Sequence, residues 1–240
     1  MTRVGWLDRS ALALLFWGAL TLFARAWLAA HPQDNPWAPL SLTDPPGWAT
    51  ARKLVRLRGD PAECRAVLAR SGIAFTALPA VGEGECRRAD RVQLADGAAA
   101  VAFRPSTPEA TCALDAGLVL WLRNSVEPAA QRLLGSRVVA LEHYGTTACR
   151  HIRGSDSGGW SEHATGNAID VAGFDLADGR RITVDHDWSS SGPAQAFLHR
   201  IRHGACGVFG TVLSPDYNAA HADHFHLDQA RSRIGWSACE

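Results

Sequence analysis

The stretch SEHATGNAID, residues 161–170, sets a histidine and an aspartate seven positions apart, and HADHFHLD, residues 221–228, sets two histidines on alternate positions. Zinc takes nitrogen, sulfur or carboxylate oxygen, and a hydrolytic zinc site uses three protein ligands while keeping one position for water. His163, Asp170 and one histidine of the HFH triplet supply such a set. On a strand, residues two apart share a face, so His224 and His226 point the same way. An odd separation would put His163 and Asp170 on opposite faces of a plain strand, so the chain must bend between them. Gly166 and Asn167 offer that bend, after which Ile169 and Val171 flank Asp170 as strand formers. Two neutral imidazoles and one carboxylate leave a zinc site net positive, which lowers the pKa of bound water and polarises a carbonyl, the chemistry of amide hydrolysis. The proton of that water needs an acceptor, for which Asp223 and His224 are the candidates. Asp228, on the same strand face, is placed to orient an imidazole. The same donors could hold another divalent ion. His31, His143, His186, His199 and His203 read as ordinary surface or core residues; His151 and His221 lie near the motifs without a spacing that assigns them.

These side chains need a scaffold, and the chain between residues 60 and 240 reads as one α+β domain: a small central antiparallel or mixed sheet with flanking helices. DPAECRAVLARSG has an aspartate cap, a proline in the first turn and a glycine after the end, the grammar of a helix. TPEATCALDAGLVLWLRNSV and EPAAQRLLG repeat it, giving two more helices that end near Gly135. SRVVALEHY then reads as a strand, AIDVAGF and RRITV as two short strands divided by the turn DLADG, PAQAFLHRIRHGA as a helix, and HFHLD as a last short strand. Residues 31–59, rich in proline and polar residues, read as a spacer.

The N-terminal 30 residues stand apart. Arg3 and Arg9 precede an apolar run from Ala11 to Ala24, short for a bilayer span but suited to a secretory signal; with AWLAA it would extend to Ala30 as an anchor. Signal and anchor both place the remainder outside the cytoplasm. Six cysteines, all beyond this run, suit an oxidising compartment, and none forms a CxxC pair. Pairing of sequence neighbours would staple local loops: Cys64 with Cys86, Cys112 with Cys149, Cys206 with Cys239. Charges cancel, 24 acidic against 24 basic, and the basic residues are scattered, which argues against a nucleic-acid partner.

SEHATGNAIDV resembles the Ser-x-His-x-x-Gly-x-Ala-x-Asp motif of zinc D-alanyl-D-alanine carboxypeptidases, and HFH resembles the His-x-His of the wider superfamily that contains lysostaphin and the hedgehog signalling domain. More closely, TCALDAGLVLW, CRHIRG, SEHATGNAIDVAGFDLADGRRITV, FLHRIRHGACGVF and VLSPDYNAAHADHFHLD resemble the bacterial extensin-like C-terminal domain family, from about Cys64 to Cys239. With 12 prolines and no repeats, the chain has nothing of a fibrous wall protein. The resemblance implies that His163, Asp170 and His226 are zinc ligands, that His224 lies in the active site, that Arg150 holds the substrate and polarises its carbonyl, and that Ser161 is a polar wall or a loop-former. Many of these carboxypeptidases have glutamate three residues before the last ligand, where this chain has the shorter Asp223. The implied function is an exported zinc peptidase acting on peptidoglycan stem peptides at the periplasmic side of the envelope, secreted or held by its N-terminal segment. The alternative expectation is a non-catalytic, metal-containing module that binds the cell wall.

Overall fold

The computed structural model describes residues 4–152, 157–230 and 238–240; Arg3 and residues 153 and 154 of the CRHIRG stretch lie outside them. A long helix, α1 (Val4–Ala30), is followed by α2 (Thr50–Leu57) and α3 (Pro61–Arg70). Then come the strands β1 (Phe75–Leu78), β2 (Arg91–Leu94), β3 (Ala102–Arg104) and β4 (Glu109–Ala110), and the helices α4 (Cys112–Trp121) and α5 (Glu127–Leu134). The remainder alternates: β5 (Val138–His143), β6 (Ala168–Leu176), β7 (Arg181–Thr183), α6 (Val184–Asp187), α7 (Pro193–Ala205), β8 (Thr211–Leu213), β9 (Phe225–Asp228) and β10 (Ala238–Cys239).

Among the described residues the strands make two sheets. A seven-stranded mixed sheet runs β10-β8-β9-β6-β5-β3, with β7 also paired to β6, and a three-stranded antiparallel sheet runs β1-β2-β4. The expected α+β class is the one observed, with a main sheet larger than expected because β3, β8 and β10 extend it. All ten residues of α4 are buried. Apolar on every side apart from Asp115, it belongs inside a core rather than at its surface. It sits among α2, α3, α7 and β2. Trp121, fully buried near its end, donates its indole N–H to the Ile201 carbonyl at 2.8 Å and meets Phe174 and Phe209 edge to face.

Several expectations are corrected. Of the two helices expected from residues 107–135, the first begins later than expected, the second starts at Glu127 as expected, and the two run together. Pro108 leads instead into the β4 pairing of Glu109 and Ala110 with Gln93 and Val92, and the helix starts only at Cys112, capped by the Thr111 hydroxyl, which accepts the Leu114 N–H. A π-helical turn, Leu122–Val126, then joins α4 to α5. Pro128 has no N–H and would clash with the carbonyl four residues back in a regular helix, so a widened turn before it is the way through. The spacer read at residues 31–59 is in large part packed structure: Leu40, Leu42, Leu54 and Leu57 join the core, and the last two belong to α2.

The disulfides are Cys64–Cys112, Cys86–Cys149 and Cys206–Cys239. Only the last follows sequence order. Packing of α3 against α4 brings Cys64 within 6.0 Å (Cα to Cα) of Cys112, and the turn carrying Cys86 lies 5.6 Å from Cys149. Bridging requires such proximity of Cα atoms, which the fold and not the sequence interval provides. Two tests follow. Peptide mapping without reduction should recover the 64–112 and 86–149 pairs and neither neighbour pair. Leu118→Ala, in the fully buried α4, should lower the unfolding free energy by about 2–5 kcal/mol in denaturant titration.

Candidate metal centre

The site is built on the pairing of β6 with β9. These strands run antiparallel with Asp170 opposite His226 and Ala168 opposite Asp228. Directly paired residues share a face, so Asp170, His226 and Asp228 all stand on one side of the sheet. His163 comes from a 3-10 turn, Glu162–Thr165, that ends at Gly166 in the left-handed region (φ 73°). That conformation costs glycine little and other residues more, and it reverses the chain as the odd His163 to Asp170 interval demands. The turn is pinned from both ends. The Ser161 hydroxyl accepts the His163 N–H at 3.3 Å, and the Asn167 amide donates to the Glu162 carboxylate at 2.7 Å. Glu162 also pairs with Arg58 at 2.9 Å, and the Asn167 side-chain Oδ1 accepts from the Thr111 hydroxyl at 2.8 Å. The residue that caps α4 thereby also fixes the loop that delivers His163.

Three atoms converge. His163 Nε2 lies 3.1 Å from Asp170 Oδ1 and 3.1 Å from His226 Nδ1, and His226 Nδ1 lies 3.0 Å from Asp170 Oδ1. Two ring nitrogens and a carboxylate oxygen thus meet at one point, a donor set that, once deprotonated, can hold a divalent cation. The far nitrogen of His226 donates to Asp228 Oδ2 at 3.0 Å, and Asp228 is in turn held by the Ala230 N–H. Burial alone would push His226 down, but its hydrogen bonds to Asp170 and Asp228 raise it to about 9. Asp170 is also penalised by burial, yet His163 and His226 hold its carboxyl well below the usual carboxylate range.

His224 stands at the edge of this cluster. It donates from Nδ1 to Asp223 Oδ1 at 2.7 Å, and its Nε2 is 3.5 Å from Asp170 Oδ1. Of the two proton-acceptor candidates, therefore, His224 faces the cluster and Asp223 backs it from behind. Tyr144 packs edge to face on His224, and its phenol is pushed up, first by burial and then by the charge and hydrogen bond of Asp223. The Tyr144 N–H donates to the Asp170 carbonyl, which ties the end of β5 to the site. A cavity of about 380 Å³ opens beside this segment, lined by Arg88, Glu109, His143, Tyr144 and Thr147 among others.

Arg150 is exposed on the approach to the turn, where its carbonyl accepts the Ser161 N–H at 3.1 Å. Its charge is felt at His221, the residue that spacing alone did not assign. The His221 ring lies 5.2 Å from that of His224 and 5.9 Å from that of His226. Burial, then the neighbouring His224 and His226, with Arg150 adding to them against Asp170, lowers it to about 4. The only sequence signal for it was its place three residues before His224, at the head of the HADHFH run.

The two histidine shifts act on opposite sides of neutrality. His226, raised, contributes stability that is complete below the unfolded value of about 6.5 and is lost as the pH climbs through about 9. His221, lowered, costs stability as the pH falls from about 6.5 through about 4. The chelator-treated protein should therefore melt highest near neutral pH and lose melting temperature in both directions. In His226→Asn the alkaline decline should shrink, and in Asp228→Asn the ring titration of His226, followed by NMR, should move down toward the ordinary imidazole value.

Comparison with known proteins bears on residues 62–240, which match the family model described as Extensin-like protein C-terminus. No curated protein and no solved structure matches the chain. The match takes in α3 through β10 and every residue of the cluster, and on that extent the chain belongs to the extensin-like C-terminal family.

Proposed function

We propose that this protein is an exported, zinc-dependent peptidase that acts on the stem peptides of peptidoglycan, as a carboxypeptidase or an endopeptidase. The observation that carries the reading is the triangle of His163 Nε2, Asp170 Oδ1 and His226 Nδ1, with edges of 3.0–3.1 Å. Tetrahedral zinc with bonds of about 2.0–2.1 Å implies donor edges of about 3.3 Å, so these three groups fit zinc with shifts of a few tenths of an ångström. Zinc, when bound, lowers the pKa of water and polarises a scissile carbonyl.

The chain's own residues account for the rest of the mechanism. Asp228 keeps the His226 proton on Nε2 and so leaves Nδ1 free as a donor atom. Asp223 keeps the His224 proton on Nδ1, which leaves Nε2 as a proton acceptor facing the cluster. In this reading Asp223 acts through His224, which answers why the shorter acid suffices there. Arg150, at the rim, is the group suited to a substrate carboxylate. Ser161 serves by holding the His163 turn, and its hydroxyl can also wall the cleft. The apolar helix α1 and three disulfides support an oxidising compartment, here the periplasmic side of the bacterial envelope. One observation favours a second reading, a metal-containing module that binds wall peptides without cutting them: the Asp223 carboxylate is already engaged by His224 and Tyr144.

Metal content and muropeptide digestion separate the two. The parent should hold one zinc per chain and trim muropeptides, and His226→Ala should lose both. His224→Ala should keep the metal and lose about 10²–10⁴-fold in turnover. Zinc without any product, in the parent, would favour the binding module. Because His226 must give up a proton to act as a ligand, zinc affinity should rise about tenfold per pH unit up to about pH 9, as read by competition titration.

A further inference from the structure

The segment between α1 and the domain is firmly built. At the helix end, the His31 N–H donates to the Trp27 carbonyl at 2.9 Å, and the His31 ring stacks on Trp27 with centroids 4.5 Å apart. The Asn35 amide reaches back to the Leu28 carbonyl at 3.4 Å, and the Asn35 side-chain oxygen accepts the Trp37 N–H at 3.0 Å. Asp34 accepts the Trp48 N–H at 2.9 Å, Lys53 donates to the Pro32 carbonyl at 2.6 Å, and Arg56 donates to the Pro36 carbonyl at 3.1 Å. These contacts join residues 27–37 to α2 and so to the core.

Around this junction stand side chains that a domain free in water has no use for. Trp37 is 81% exposed and Trp48 64%, although each is fixed by its backbone hydrogen bond. Arg52 and Arg56, four apart on α2, lie on its exposed face, and Arg56 reaches the carbonyl of Pro36, the residue before Trp37. The apolar stretch Arg9–Ala30 is 22 residues long and has none of its length buried. At 1.5 Å per residue it spans about 33 Å, against a hydrocarbon core of about 30 Å. Arg25, near its end, is long enough to reach the same interface. Tryptophan prefers the headgroup level of a membrane, and arginine there meets anionic lipid.

We infer that α1 is retained as a membrane anchor and that Trp37 and Trp48, with Arg52 and Arg56, seat the domain on the anionic phospholipid headgroups where α1 leaves the bilayer. The junction then sets a fixed attitude of the domain to the membrane. Cleavage as a secretory signal, beside the small residues Ala24 or Ala26, would instead leave Trp27 and Leu28 at a free chain end, loosening the contacts that order His31 and Asn35. The inference is independent of the peptidase reading, since it uses no residue of the metal cluster.

The test uses the full chain. Extracted from membranes of the producing cell and digested with trypsin, it should yield the peptide 10–25; a mature chain that lacks this peptide overturns retention. Reconstituted in phosphatidylcholine and phosphatidylglycerol vesicles, its tryptophan emission should be quenched by lipids brominated near the headgroup. The Trp37→Phe/Trp48→Phe variant should lose part of that quenched fraction, and Arg52→Gln/Arg56→Gln should reduce its dependence on phosphatidylglycerol. Equal fractional quenching in the parent and the tryptophan variant would overturn the seating. Hydrogen exchange of the unaltered chain supplies a check that needs no variant: residues 36–49 should be slower in anionic than in neutral vesicles, and equal rates would count against the proposal.

Discussion

The placement of Asp170 directly across from His226 in the β6 and β9 ladder is the constraint on which the site depends. A slip of one residue would send His226, and with it His224 and Asp228, to the other face of the sheet. The register is held by burial on the opposite face, where Ile169, Val171, Phe225 and Leu227 are sealed in the core. Alternation of apolar and chemical residues along both strands is therefore one device with two outcomes. The same packing that stabilises the sheet aims the polar side chains at a common point, and the His163 turn needs only to close on it.

Such crowding of ionisable groups is tolerable because each has an assigned partner. His226 lies between two carboxylates, and His224 is backed by Asp223. Buried charge without such pairing would cost several kcal/mol. Support from outside the sheet comes through side chains as well: the chain of contacts from Arg58 through Glu162 and Asn167 to Thr111 links the turn to the start of the central helix. The Cys86–Cys149 bridge tethers the segment that leads into Arg150 and Ser161.

Much of the site could be seen in the sequence, because its signals are local. The interval from His163 to Asp170 with Gly166 between, and the alternate histidines of HFH, are periodicity and turn chemistry, and the fold brings His163, Asp170 and His226 together as a group. The α+β class followed from elements such as AIDVAGF and PAQAFLHRIRHGA whose apolar periodicity is legible within each segment. What the sequence hid was non-local. The exchange of partners among Cys64, Cys86, Cys112 and Cys149 reflects how α3 meets α4, and no interval encodes that. His221 enters the site through the fold of residues 218–224, and α2 lay unseen in a stretch whose prolines suggested a spacer. The π-helical turn before Pro128 is likewise a compromise between a local breaker and a helix that the core demands.

If the membrane seating holds, the cluster works at a set distance and angle from the bilayer, on a domain whose N-terminal support is hydrogen-bonded to α2. The chemistry, however, turns on the convergence of three atoms around one cation, and anomalous diffraction at the zinc edge from crystals grown with zinc addresses it most directly. The account expects a single peak within about 2.0–2.2 Å of His163 Nε2, an Asp170 carboxylate oxygen and His226 Nδ1, with no fourth protein ligand. No peak at these atoms, or a fourth side chain closing the site, would contradict it.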